Sequence, residues 1–165
     1  MQRDIPYNEY ILEVNESLTS GGIFLNTKDE KVNSMVIGWG GVTTFWGKPI
    51  FIVPVRQSRY THKQLQNTGE FTISVPLDDS LQKALDFCGT KSGRDYDKLK
   101  ECGITALDPK VIKTPIIGEC KLHYECKVVY QQDLIPENLI EEIDKRWYPD
   151  YHTLFFGEIL ACYTI

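Results

Sequence analysis

Four apolar segments in the first half of the chain, punctuated by glycine and proline, limit what it can fold into. They are GGIFLNT (21–27), SMVIGWGGVTTF (34–45), KPIFIVPV (48–55) and EFTISVP (70–76). β-Branched and aromatic residues dominate them, so they read as strands. The second holds Gly40-Gly41 in its middle, which predicts a bulge or a close approach to the backbone within one long segment. Successive strands are not separated by full helices. The regular βαβ alternation of a doubly wound sheet is therefore excluded, and a mainly β, antiparallel barrel with helical excursions is expected.

The second half supplies those excursions. DDSLQKALDFCG (78–89) spaces Leu81, Ala84 and Leu85 as a helix does. SGRDYDKLKECG (92–103) predicts a second short helix, with Ser92 as N-cap and Gly103 as stop. GECKLHYECKVVYQQ (118–132) alternates Cys120, Leu122, Tyr124, Cys126, Val128 and Tyr130 on one face, as a half-buried strand would, with His123 on the polar side. PENLIEEIDKRW (136–147) predicts a helix opened by proline, with Leu139, Ile140 and Ile143 on one side. HTLFFGEILACYTI (152–165) is a closing strand tied into the sheet.

The length of 165 residues suits one domain with a sizeable core. A net charge of −5 argues against a nucleic-acid binder, which needs a basic surface, while leaving room for one local basic pocket. The start, MQRDIPYNEYILEV, has no apolar signal-peptide region, and no apolar run reaches the length of a membrane span. Five cysteines without C-x-x-C spacing predict reduced, mostly buried thiols and a cytoplasmic location. The three histidines are scattered, so no metal site is expected.

The stretch VRQSRYTHKQ (55–64) stands out against that acidic background. Thr61-His62-Lys63-Gln64 fits a capping box and marks a helix start, with His62 exposed in its first turn. The positive end of a helix and its free N–H groups favour an anion. Arg56, Ser58, Arg59 and Thr61 would surround one small volume with donors, and arginine grips a phosphate through a planar fork. Capping alone, with both arginines solvated, accounts for the same residues.

NSMVIGWGG (33–41), WGKP (46–49), VRQSRYT (55–61) and FTISVP (71–76), followed by SGRDYDKL (92–99) and HTLFFGEI (152–159), resemble in that order the flavin reductase-like, FMN-binding split-barrel family, in particular its flavoredoxin-type members. The resemblance implies a Greek-key split β-barrel that forms a homodimer and holds FMN near the dimer interface. It implies that Asn33, Ser34 and Met35 line the flavin, and that Trp39 packs beside it; Trp46 is left open. Ser58, Arg59 and Thr61 would hold the phosphate, with Ser92 and Lys98 on the second short helix and His152 approaching from the last strand. The segment 134–151 departs from the family as a longer, more helical insertion, suited to a lid or to a dimerisation element.

On that reading the flavin carries the redox chemistry and no side chain is required as an acid or base. The absence of G-x-G-x-x-G after a strand means that NAD(P)H, as electron donor, would dock only transiently. An electron-carrier protein is the other donor in view. Other readings stay open: exchange of flavin with a partner oxygenase, a non-catalytic FMN-binding or storage protein, or a split barrel for pyridoxal phosphate or haem.

Overall fold

The computed structural model describes residues 2–165. Its strands are β1 (Arg3–Asp4), β2 (Ile23–Lys28), β3 (Val32–Ile37), β4 (Gly41–Phe45), β5 (Lys48–Arg56), β6 (Glu70–Val75), β7 (Ala106–Leu107), β8 (Ile116–Ile117), β9 (Leu122–Asp133) and β10 (His152–Thr164). Helices α1 (Ile11–Ser20), α2 (Tyr60–Thr68), α3 (Gln82–Thr90), α4 (Lys98–Cys102) and α5 (Glu141–Trp147) lie between them. The main sheet runs β3-β2-β6-β9-β10-β5-β4, with β1 added to β10, and β7 pairs with β8 apart from it. Every pairing is antiparallel. The ends β3 and β4 follow each other in the chain yet do not pair, so the barrel is split, as expected.

The single segment expected over 34–45 is two strands. Gly40 makes the turn between them with φ 100°, and a Cβ there would stand 2.1 Å from the Ile52 carbonyl oxygen. Only glycine can cross that close to β5. Trp46 and Gly47 then close the β4–β5 hairpin, both with positive φ, in the manner of a two-residue primed turn.

Alternation sends Phe51, Val53 and Val55 inward from β5, where they meet Phe71, Ile73, Tyr124 and Phe155 in the main core. A second cluster under α3 and α4 joins Phe24, Leu85, Cys88 and Ile117. Helix α1, which packs Val14 and Leu18 into the main core, was not expected from the sequence. Its signal was the four-residue spacing of those two apolar positions.

Strand β9 is not half-buried along its length. From Leu122 to Cys126 both faces are covered, and His123 and Glu125 are 0% exposed. Glu125 accepts from the backbone N–H groups of Lys110, Val111 and Ile112 and from the Tyr163 hydroxyl. His123 contacts Ser74 Oγ and the Cys120 carbonyl. A loop laid across the strand thus buries polar side chains that alternation alone would expose. The segment expected as a helix over 136–147 is also different. A 3₁₀ turn at Pro136–Asn138 ends at Leu139, and α5 starts afresh at Glu141.

Gly157 sits at an irregularity in the β9–β10 ladder, where an added Cβ would stand 2.4 Å from Phe71 Cζ and 2.8 Å from Cys126 Cβ. Gly157→Ala is expected to destabilise the fold by about 1–3 kcal/mol, since neither core neighbour has room to yield. Urea denaturation measures this, and an unchanged midpoint would contradict the packing of β10 on Phe71.

Candidate functional site

The last strand sets the site. β10 pairs with β5 so that His152 lies opposite Arg56, at the point where β5 gives way to the loop leading into α2. Strand β3 runs nearby, and its alternation divides the expected residues. Asn33 and Met35 line a hollow, whereas Ser34 turns away and donates to Asn26 Oδ1 at 2.8 Å inside a buried polar network. Ser34 thus keeps its side chain away from both hollows, and its carbonyl accepts from Lys98 Nζ.

Two adjoining hollows share Met35, Val36 and Arg59 in their walls. The first is bounded by Trp39, Pro54, Arg56 and His152 as well. The second is bounded by Asn33, Ser58, Tyr60, Thr61, Cys88, Lys91, Ser92, Arg94 and Lys98, among others. Arg59, Lys91, Arg94 and Lys98 all line it, and among the described residues no Asp or Glu does. In a chain of net charge −5, that is a concentrated positive potential.

Local contacts prepare these groups. Helix α2 begins at Tyr60 with Arg59 as N-cap, so Thr61 lies within the first turn and the expected capping box is absent. Thr61 instead accepts from Asn33 Nδ2 at 2.8 Å, which frees its own proton to donate. Gln64 is taken by Thr27 and by the Lys31 carbonyl. His62, expected to be exposed, is buried, with its Nε2 2.8 Å from Thr153 Oγ1. Asn33 Oδ1 is buried without a hydrogen-bond partner. Arg59 has no ion-pair or side-chain hydrogen-bond partner among the described residues, and so remains available.

Ser92 does not cap α4. It lies in the preceding turn, where its Oγ accepts from Arg94 N, and Asp97 is the cap. Lys98, the first residue of α4, is 5% exposed. Its ammonium donates to the carbonyls of Ser34 and Cys88, both at 2.8 Å, leaving one N–H for another partner. Burial, reinforced by Arg59, lowers its pKa to about 8, so the ammonium persists at neutral pH.

The insertion packs against one side of the first hollow, on Arg56, Trp39 and His152. Arg56 donates to the carbonyls of Trp147 and Asp150 and stands over the Tyr148 ring, and Ser58 donates to the Asp150 carboxylate. Arg56 thus lines the hollow while its guanidinium is engaged with the insertion, and Ser58 is likewise engaged. Trp147 meets Trp39 edge-on with centroids 5.1 Å apart, and Trp39 lies 4.9 Å from His152. His152 is 7% exposed, and burial with help from Arg56 pushes its pKa down to about 4. It is a neutral imidazole at physiological pH. Trp46 is elsewhere, beside Phe45, Tyr130 and Phe156.

Sequence reasoning missed Lys91, Arg94, Tyr60 and the hold of the insertion on Arg56. The signal for the first two was present: three cations fall within Lys91–Lys98, around a Ser-Gly turn in an acidic chain.

Residues 17–165 match the model of the flavin reductase like domain, and the chain belongs to that family. It is 32% identical to an uncharacterised protein of Archaeoglobus fulgidus, over 92% of this chain and 73% of that one. Its structure is similar to the flavoredoxin of Desulfovibrio vulgaris (Miyazaki F), with a TM-score of 0.70 and 26% identity, covering 87% of this chain and 69% of the other. It is also similar to flavoredoxin from Methanosarcina acetivorans, with a TM-score of 0.68 and 27% identity over 87% and 68% of the two chains. No helix among the described residues is long and apolar enough to cross a membrane.

A pH dependence follows from the buried histidines. His123 and His152 are each held near 4 against an ordinary 6.5, mainly by burial. The unfolded chain binds these protons from about pH 6.5 downward, the folded chain only near 4. Their contribution to stability is complete above about 6.5 and is lost as pH falls toward 4, by on the order of 2–3 kcal/mol for His123. Denaturant midpoints measured from pH 7 to 4 are expected to fall, and His123→Gln is expected to flatten the profile. A slope unchanged by that substitution would contradict the assignment.

Proposed function

We propose that the protein is an FMN-binding oxidoreductase, with the flavin phosphate in the cationic hollow and the isoalloxazine in the aromatic one. The observation that carries this reading is the wall of Arg59, Lys91, Arg94 and Lys98 with no carboxylate among the lining residues. The donor set fits a phosphate dianion: one free guanidinium fork, a spare lysine N–H and the Thr61 hydroxyl. Asn33 Oδ1, buried and unpaired, fits a ribityl hydroxyl, which can donate to it. Similarity to the flavoredoxins supports the choice of flavin.

When bound, FMN would supply hydride and single-electron transfer. The chain's own part is to bind, orient and exclude water. Arg59, common to both hollows, would fix the join between phosphate and ring. Neutral His152, Trp39 and Met35 would wall the ring end. Trp147 and Tyr148, packed edge-on against Trp39 and His152, would limit water at that end. NAD(P)H docking transiently and an electron-carrier protein are both compatible donors. A homodimer is proposed through the exposed aromatic surface of Phe45, Trp46 and Tyr130, which are 44%, 60% and 43% exposed. Sedimentation velocity is expected to show twice the 19.0 kDa chain mass, and Trp46→Glu with Phe45→Glu the monomer; a monomeric wild type would contradict this.

Arg59→Ala with Thr61→Ala is expected to weaken FMN binding by about 3 kcal/mol, through loss of a charge-assisted and a neutral contact. Riboflavin, which lacks the phosphate, is expected to lose much less affinity than FMN. Quenching of flavin fluorescence reads both affinities. Unchanged FMN affinity in a folded variant would discard the phosphate assignment.

A further inference from the structure

Cys88 and Cys102 form a pair for which the flavin reading has no use. Cys88 lies near the end of α3 and Cys102 is the last residue of α4, and their sulfurs are 4.0 Å apart. Cys88 is 1% exposed, whereas Cys102 is partly exposed and can be reached from solvent. The residues between them, 89–101, supply Lys91, Ser92, Gly93, Arg94 and Lys98 to the cationic hollow. The two thiols thus stand at the two ends of one wall of that hollow. Cys88 is bonded into the wall directly, since its carbonyl accepts from Lys98 Nζ.

We propose that Cys88 and Cys102 are a redox-active dithiol, oxidised by a hydroperoxide to an intrachain disulfide that staples this wall. Cys102 sulfur attacks the O–O bond and becomes a sulfenic acid, releasing water or alcohol. Cys88 then attacks the Cys102 sulfur, forming S–S and releasing the sulfenic oxygen as a second water. Two thiols give up two electrons and two protons, and one hydroperoxide is reduced. A dithiol reductant reverses the change by exchange. Burial assigns the order. It raises both thiols, that of Cys88 to about 12, and only Cys102 is open to solvent, so Cys102 meets the peroxide first and Cys88 resolves. Sulfur atoms at 4.0 Å need only a small approach of two helix ends to reach bonding distance, about 2 Å. Closing the loop restricts the wall before a ligand arrives, and preorganisation of that kind tightens binding. The effect on FMN rests on the reading above, whereas the disulfide does not.

Reduced wild-type protein is treated with hydrogen peroxide, alkylated without reduction, digested with trypsin and weighed. Lys91, Arg94, Lys98 and Lys100 guarantee cleavage between the two cysteines, so only a disulfide can hold their peptides together. The expected product is that pair, two hydrogens lighter than its separate thiols, absent in Cys102→Ser and restored to thiols by dithiothreitol. FMN is expected to bind the oxidised wild type about tenfold more tightly than the reduced form, and Cys102→Ser equally before and after peroxide. Cys88 recovered alkylated or as sulfinic acid, or a linked pair seen only in guanidinium, would overturn the dithiol. A disulfide that leaves FMN affinity unchanged would overturn the stapling. If neither redox form binds FMN while the linked peptides form, the flavin reading fails and the dithiol stands.

Discussion

The pairing of β10 with both β5 and β9 is the constraint on which the rest of the structure hangs. β10 is a 13-residue strand in the middle of the sheet, and its ladders with β5 and β9 run from His152 to Thr164. A one-residue slip would reverse which side chains face the core. The register is held by Phe155 inside, and by the contact of Gly157 with Phe71, which accepts no side chain at that position. The same register brings His152 to Arg56. The site is therefore a consequence of how β10 registers on β5, and its rigidity comes from the most extensively paired strand.

Buried charge is handled in two ways. Glu125 is surrounded by donors from a single loop and the Tyr163 hydroxyl, and its carboxylate is consumed in holding that loop to the sheet. Lys98 is also buried but is held by two carbonyls only, and it faces a hollow that other cations line. A structural lysine would be expected to end on a carboxylate. One that keeps a spare donor beside Arg59 is suited to an anionic ligand from outside the chain. The contrast between these two residues separates fold from site better than burial does.

The strands were legible because alternation and Gly/Pro punctuation are local properties. So was the cluster at Ser58–Thr61, because donors around a helix start are local too. The helix starts themselves were not. Thr61 and Ser92 are both good caps by residue type, yet Thr61 is engaged by Asn33, and Ser92 sits in a turn where Gly93 packs tightly against Asn33 and Tyr60. Such long-range competition leaves no trace in a four-residue window. His62 and His123 were misplaced for the same reason: Thr153 and Ser74, which they contact, lie on elements distant in the chain.

The insertion was visible in the sequence as a departure, but its attachment was not. Its anchors are backbone carbonyls at Trp147 and Asp150, which no motif records, gripped by an arginine that sequence reading assigned to a ligand. That exchange has a physical consequence. A guanidinium spent on fixing the insertion no longer counts toward the proposed phosphate, so that proposal stands on Arg59 and the cations of the 91–98 turn. Those cations lie together in the second hollow, apart from Arg56 in the first. On the proposed reading, the division of labour between the two arginines, one for the insertion and one for the ligand, follows from where β5 ends and α2 begins.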